Sequence, residues 1–417
     1  MLGYEWFDEK EIEQIESKFP NIIKRSVLSF NRRLSHKYEC KVFLKREDRQ
    51  IVRSYKIRGA FNAISHYKEK AKLKGVVCAS AGNHSQGVAL SCHFLGIKGT
   101  IFMPKTTPLQ KINKTKKFGG EFVEVKIEGD TFNEAYDSAL KFEKETGAVF
   151  IHPFNDFETI KGQATIGVEI LKDIKEGIDY LIVPIGGGGL ISGVGMYFKK
   201  KSPETKIIGV VHEGAPAMYE SLKAGKVMRL DKIDTFVDGA AVKEVGTNTL
   251  DICKNVVNRV IKVPEGRICS TILRFLQDEG IVLEPAGAMA IDALEDLKDE
   301  IKDKTVVCIA SGGNLDFSRL PEINEKSLKF EGLKKYFIVN FAQRVGALRE
   351  FLDLIGKNDD IVRFEYLKKS NKEKGPALIG VETNDRANFS ELARKMKEKG
   401  ISFEDITENE IYFSLLV

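Results

Sequence analysis

Short β-branched runs alternate with amphipathic stretches through most of the first 320 residues, and this alternation limits the fold more than any other feature of the sequence. Gly75–Ser80, Gly99–Pro104, Glu121–Val125, Tyr180–Ile185, Lys206–Val211 and Thr305–Ala310 read as strands buried on both faces, the pattern of a parallel sheet whose crossovers are helices. Between them, Ile57, Ala60, Phe61 and Ile64 follow the i, i+3, i+4, i+7 rule behind an N-cap expected at Ser54, and Leu190, Ile191, Val194, Tyr197 and Phe198 repeat that face later. Thr131 with Glu134 fits a capping box, and Gly96 suits the end of a helix begun near His84. The class is α/β, with one or two doubly wound open sheets.

The texture changes after Leu320. Pro321–Gly332 is polar and reads as turn-forming, and a second order follows: strand 336–341, helix 344–355, strands 361–367 and 377–382, helix 388–399, strand 401–406 and a last strand 411–417. That is βαββαβ plus one strand, a ferredoxin-like α+β module. A chain of 417 residues exceeds what one core usually serves, so two or three domains are expected: 1–325, a linker at 326–335, and 336–417.

Charge names no partner. Lys and Arg number 65 against 60 Asp and Glu, and the bases are interleaved with acids, as in Lys68–Lys72, so no patch suits nucleic acid. No apolar run nears the ~20 residues that span a bilayer, and the first ten residues lack a basic segment followed by an apolar one, so a soluble cytoplasmic protein with no membrane contact is expected. The six cysteines show no CxxC pair, which argues against a disulfide scaffold and a zinc knuckle and for buried, reduced thiols.

Three segments carry chemistry. Gly186, Gly187, Gly188, Gly189 and Leu190 join a strand to a helix; consecutive glycines let N–H groups converge where the helix N-terminus adds positive charge, which suits a phosphate, although a tight turn alone would also use them. No Gly-Lys-Ser/Thr follows, against a P-loop, and Val211-His212 stands where a dinucleotide fold would place an acid. Ser80, Ala81, Gly82, Asn83 and His84 sit at another strand–helix junction, where free N–H groups suit a carboxylate or a plain helix cap. Lys56 begins an otherwise apolar helix; desolvation and the helix dipole there favour the free amine that Schiff-base chemistry needs, whereas an ordinary lysine snorkels to water. In the tail, Asn340–Gly346 joins strand to helix, and Gly346 lets a small amino acid approach the backbone or serves a dimerisation module.

Taken in order, Ser54-Tyr-Lys-Ile-Arg-Gly-Ala60, Ser80-Ala-Gly-Asn-His-Ser-Gln-Gly87, Gly186-Gly-Gly-Gly-Leu190, Asp238-Gly-Ala-Ala-Val242, Glu284-Pro-Ala-Gly-Ala288 and Ser311-Gly-Gly-Asn314 resemble the pyridoxal-phosphate enzymes of the tryptophan-synthase-β fold, fold type II, and most closely the threonine dehydratases. The resemblance spans roughly residues 25 to 320, and Tyr336–Phe341 with Gly346–Leu352 is similar to the single ACT-like regulatory domain of the short biosynthetic forms. It implies two open parallel-sheet lobes, the smaller at about 54–155, followed by the ACT-like domain. It implies that Lys56 holds pyridoxal 5'-phosphate and acts as base, Gly186 to Leu190 cradle the phosphate, Asn83 meets the ring oxygen, Ser311 faces the ring nitrogen, and Ser80 to His84 bind the substrate carboxylate.

The reaction so implied is dehydration and deamination of L-threonine to 2-oxobutanoate and ammonia, the first step towards isoleucine, by a homotetramer with isoleucine as effector near Arg344 and Gly346. L-Serine dehydratase or threonine synthase would keep the same cofactor residues. A dinucleotide oxidoreductase or a silent amino-acid sensor would not need Lys56 in its motif. Two departures matter: Ala81 replaces the serine that lets related racemases move a proton on the opposite face, and Val211 and Ala217 stand where some relatives place metal-binding acids, so no metal is expected.

Overall fold

A computed structural model describes residues 7–367 and 372–416. The first six residues, part of the segment read above for a leader, lie outside them. The chain divides into two compact units, Met1–Glu265 with Arg274–Leu315, and Gly266–Leu273 with Asp316–Val417.

In the first unit the strands are β1 (Leu28–Phe30), β2 (Lys41–Arg46), β3 (Val76–Ala79), β4 (Gly99–Met103), β5 (Val123–Ile127), β6 (Val149–Phe150), β7 (Tyr180–Pro184), β8 (Lys206–His212), β9 (Arg259–Val263) and β10 (Thr305–Ala310). They form two open sheets, β5-β4-β3-β6 and β1-β2-β10-β7-β8-β9, parallel throughout except where β1 meets β2. Every residue of β3, β7 and β10 is buried, as strands covered on both faces require. Ser80–His84, Gly186–Leu190 and Ser311–Asn314 follow the carboxyl ends of these three strands, where open α/β sheets place their ligands, while Lys56 comes after β2.

The six expected strands are present, the third displaced to Val123–Ile127. The strands β1, β6 and β9, short or at a sheet edge, have no run long enough to announce them, and the interior strand β2 is masked by its basic residues. Ser54 does not cap the Lys56–His66 helix: Tyr55 precedes it with no side-chain cap, and the Ser54 backbone instead bridges to Gly312. The Phe132–Thr146 helix carries half of the expected box: Thr131 accepts from Glu134 N at 3.3 Å, while Glu134 reaches past the N-cap to accept from Asp130 N at 2.6 Å. All six cysteines are buried, and none forms a disulfide among the described residues.

In the second unit β11 (Lys334–Ala342), β12 (Asp359–Tyr366), β13 (Lys374–Thr383) and β14 (Ser402–Asp405) form an antiparallel sheet in the order β12-β13-β11-β14, with helices Ala347–Leu352 and Ala387–Glu398. This is the ferredoxin-like βαββαβ plan, its core built on Phe337, Val339, Phe341, Phe351, Ile379 and Met396. Two expectations are corrected. The stretch read as a polar linker is the helix Leu320–Glu331, amphipathic about buried Ile323 and Ser327, with proline at its start and Gly332 at φ +70° closing it. The last segment is the helix Glu410–Leu416 rather than a strand, because Asn409 Oδ1 accepts from the N–H groups of Ile411 and Tyr412 and starts a helix that a short apolar run alone cannot distinguish from a strand. Among the described residues no helix is long and apolar enough to cross a membrane.

Candidate active site

The start of the Lys56–His66 helix is fixed by backbone. Tyr55 N donates to Ser311 O at 3.2 Å and Gly313 N to Arg53 O at 2.9 Å, joining this turn to the loop after β10. Glycines let the helix approach the Phe157–Asp173 helix closely: a Cβ at Gly59 would stand 2.7 Å from Thr159 O, and one at Gly162 2.6 Å from Arg58 O. Beneath this contact lies a fully buried ion cluster. Arg58 donates Nε and Nη2 to Glu47 at 2.9 Å each, and Nη1 and Nη2 to Glu169 at 2.7 and 2.9 Å, while Lys45 Nζ lies 2.6 Å from Glu169. Two bidentate forks thus hold the helix two residues from Lys56.

Lys56 Nζ donates to Pro153 O at 2.8 Å and lies 5.3 Å from the Tyr55 ring centre. Burial pushes this amine down to about 8, against the opposing pull of Glu284. His84 and His152 stand in the same field; burial and then the Lys56 charge lower them to about 3 and about 4, so both are neutral at pH 7. His84 Nε2 bonds Ile151 O at 2.8 Å, and its buried Nδ1 has no hydrogen-bond partner among the described residues.

Pro153 leads directly to the glycine loop. Phe154 packs on it so tightly that a Cβ at Gly187 would stand 2.3 Å from the ring and one at Gly189 2.9 Å from Phe154 Cα. Gly188 takes φ +95° as N-cap of the Gly189–Lys201 helix, and a Cβ at Gly186 would meet Ala240 O at 3.0 Å. Thr249 Oγ1 donates to Gly187 O at 2.7 Å. Among the described residues no acceptor takes the N–H groups of Gly186 to Leu190, which leaves a helix N-terminus with a ring of free donors.

On the other side, Asn83 begins the Asn83–Leu95 helix, and its amide bonds Glu284 Oε1 and Asn314 Nδ2 at 2.6 and 2.7 Å. Gly82 borders open space, Ser80 Oγ accepts from Gly82 N at 3.3 Å, and no acceptor takes the N–H groups of Ala81, Asn83 and His84 among the described residues. Ser311 is buried and donates a long 3.3 Å bond to Ala286 O. Lys56, the Ser80–His84 turn, the glycine loop and Ser311 are thus linked by contacts within one unit. A free amine, a cradle of N–H groups that no side chain can enter, an amide and a hydroxyl are the set that fits an aromatic aldehyde bearing a phosphate.

Arg344 and Gly346 stand apart, in the second unit. Arg344 is exposed and paired with Glu350 at 2.7 Å; Gly346 has φ +86° and open space where a Cβ would lie. A hollow on this sheet, lined by Ile338, Glu365, Tyr366, Leu367, Pro376, Ala377 and Leu378, includes neither.

Sequence reasoning missed the His152-Pro-Phe-Asn155 segment, which links Lys56 to the glycine loop, and quoted Glu284 without giving it a role. The signal available for the first was a histidine and proline immediately after the short apolar run Ala148-Val-Phe-Ile151.

The sequence matches the family described as "Pyridoxal-phosphate dependent enzyme" over residues 24–312 and "C-terminal regulatory domain of Threonine dehydratase" over 325–416. It is 54% identical to the L-threonine dehydratase biosynthetic IlvA of Halalkalibacterium halodurans, covering 95% of this chain and 96% of that one, and 49% identical to the Bacillus subtilis protein of the same name, covering 98% and 97%. Among solved structures, the processed form of threonine deaminase isoform 2 from Solanum lycopersicum superposes with a TM-score of 0.72 at 39% identity, over 77% of this chain and 94% of that one. Maize serine racemase gives 0.71 at 31%, over 78% and 98%. Sequence, fold and the chemistry of the site agree: the chain belongs to the pyridoxal-phosphate dependent enzymes, in the group of biosynthetic threonine dehydratases that carry a C-terminal regulatory domain.

Proposed function

We propose that the chain is a carbon–nitrogen lyase converting L-threonine to 2-oxobutanoate and ammonia, with Lys56 as both cofactor anchor and base. The observation that carries this is the Lys56 amine, desolvated on Pro153 O and linked by that segment to the donor ring of Gly186 to Leu190. Pyridoxal phosphate, when bound, captures the substrate's amine and acidifies its α C–H. In this reading the N–H groups of Gly186, Gly187, Gly188, Gly189 and Leu190 hold its phosphate, Asn83 its ring oxygen and Ser311 its ring nitrogen, while Ser80, Ala81, Gly82, Asn83 and His84 hold the substrate carboxylate. With its pKa at about 8, Lys56 is neutral in roughly a tenth of molecules at pH 7, against about one in several thousand for an ordinary lysine, so Nζ can accept the α-proton. A hydroxyl at Ser311 does not keep the ring nitrogen protonated as a carboxylate would, and Ala81 offers no proton to the opposite face. Both favour departure of the β-hydroxyl with the α-proton as water over return of the proton, and the remaining enamine tautomerises and hydrolyses.

The same reading makes the reaction the first step towards isoleucine, in the cytoplasm, with isoleucine as effector of the second unit and a tetrameric assembly. The match of residues 325–416 supports a regulatory tail. The test is direct: the purified protein with pyridoxal 5'-phosphate should be yellow, borohydride should fix an adduct on Lys56, and L-threonine should yield 2-oxobutanoate faster than L-serine yields pyruvate. Near wild-type turnover of L-threonine by Lys56→Ala would overturn the assignment.

A further inference from the structure

Asn83 Nδ2 donates to Glu284 Oε1 at 2.6 Å, Asn83 Oδ1 accepts from Asn314 Nδ2 at 2.7 Å, and that same Asn314 nitrogen donates to Val52 O at 2.8 Å. A backbone carbonyl only accepts, so the Asn314 amide has one orientation, and it dictates which end of the Asn83 amide is oxygen. Asn83 therefore turns its nitrogen to Glu284 and keeps one hydrogen on that nitrogen uncommitted. Glu284 is 5% exposed and occupies space left by glycines: a Cβ at Gly312 would fall 2.0 Å from its Oε1, and one at Gly239 3.7 Å away. A buried carboxylate in a pocket shaped for it, bonded to a residue assigned to the cofactor, asks for a role.

We infer that Glu284 is a positioning residue for the reaction: through Asn83 it directs the spare Nδ2 hydrogen to the oxygen on the cofactor ring, and it does so as a carboxylate. This rests on the reading that Asn83 meets that oxygen. An ionised acceptor holds an amide N–H about twice as firmly as a neutral one. The charges acting on Glu284 are Asp238, which raises it, Lys111 of the Leu109–Gly119 helix, which lowers it, and Lys56, while the Asn83 side chain and the Asn314 N–H bond it. Burial and Asp238 together bring it to about 7, so the grip on Asn83 loosens as pH falls through neutrality.

The experiment titrates cofactor-free full-length protein with pyridoxal 5'-phosphate, read by absorbance, for wild type, Asn83→Ala, Glu284→Gln and the double variant. Each single change should weaken binding about tenfold or more, the loss of a charge-assisted hydrogen bond, and the double variant should match Asn83→Ala within about twofold. The ratio of wild-type to Glu284→Gln affinity should shrink from pH 8 to pH 6, and Glu284→Asp should recover most of the wild-type affinity at pH 8. Multiplying losses in the double variant, or a weakened Asn83→Ala beside an unchanged Glu284→Gln, would overturn the role of Glu284 alone. A ratio constant with pH would overturn the carboxylate requirement. An unchanged Asn83→Ala would remove both this role and the Asn83 placement, and the borohydride adduct on Lys56 then reports whether the wider assignment stands. If Glu284→Gln does not fold, Glu284→Ala in the wild-type and Asn83→Ala backgrounds makes the same comparison, since it too removes the carboxylate.

Discussion

Replacing Lys56 by methionine should make the cofactor-free protein more stable at neutral pH while abolishing turnover. Lys56 falls from its ordinary 10.5 to about 8 because its ammonium is desolvated in the folded chain. A depression of about 2.5 is worth about 3.4 kcal/mol, paid in full only below pH 8, where both folded and unfolded chains carry the proton. Between pH 8 and 10.5 the unfolded chain binds a proton the folded chain has released, so wild-type stability rises with pH across that window. Methionine has similar length and no charge, so it removes this penalty but also the hydrogen bond to Pro153 O, worth about 1 kcal/mol. Because Lys56 is only half-buried by surface, solvent screening lowers the gain further, to about 2 kcal/mol at pH 7 and near zero at pH 9.5. Urea denaturation followed by far-ultraviolet circular dichroism at the two pH values measures the difference between variant and wild type. A methionine variant no more stable than wild type at pH 7, or a gain that does not change with pH, would refute the desolvated amine.

Three further outcomes follow from the geometry. Arg58→Met strands Glu47 as a buried carboxylate and leaves Glu169 with Lys45 as its remaining cation, so it should cost about 3–5 kcal/mol and lower the denaturation midpoint well beyond what an exposed Arg394→Met does. Gly187→Ala places a methyl 2.3 Å from the Phe154 ring and must move the loop, so pyridoxal 5'-phosphate affinity, read by absorbance titration, should fall tenfold or more. Gly346→Val forces a β-branched residue to φ +86°, a strain of about 1–2 kcal/mol with no clash, and should flatten the isoleucine inhibition curve if the 340–346 turn holds the effector. Point changes suit this last test better than truncation, because the second unit includes Gly266–Leu273, whose Ser270 hydroxyl bonds Ser327 at 2.8 Å, so removal of the tail would strip partners from that segment.

The parallel strands were legible because strands buried on both faces are continuous apolar runs, and the loops following them because glycine and asparagine stand out at strand ends. What escaped has physical reasons. β2 reads as Lys-Val-Phe-Leu-Lys-Arg, and Lys45 within it looks like a surface residue; Glu169, far away in sequence, and the Ser26 carbonyl make its burial tolerable. The Leu320–Glu331 helix resembles a linker by composition because most of its residues are polar, and Pro321 and Gly332 suit turns as well as they start and stop a helix. Tertiary hydrogen bonds were invisible too: nothing local to Glu284 says that its carboxylate reaches Asn83, 201 positions earlier.

Lys56 and Arg58 show how the fold separates two cations on one turn of a buried helix. Burial opposes the charge on both. Arg58 meets four carboxylate oxygens from Glu47 and Glu169, and their field holds its proton so firmly that its pKa is raised despite burial. Lys56 meets a carbonyl instead, and the carboxylate whose charge acts on it, Glu284, is itself raised to about 7, so it returns only part of what desolvation takes. A carboxylate placed on Lys56 as Glu169 is placed on Arg58 would keep the amine protonated and useless as nucleophile or base. The Arg58 cluster anchors the helix without supplying that carboxylate. The proposed reaction therefore needs both arrangements on the same helix: full charge compensation where the side chain must only hold, and incomplete compensation where it must release a proton.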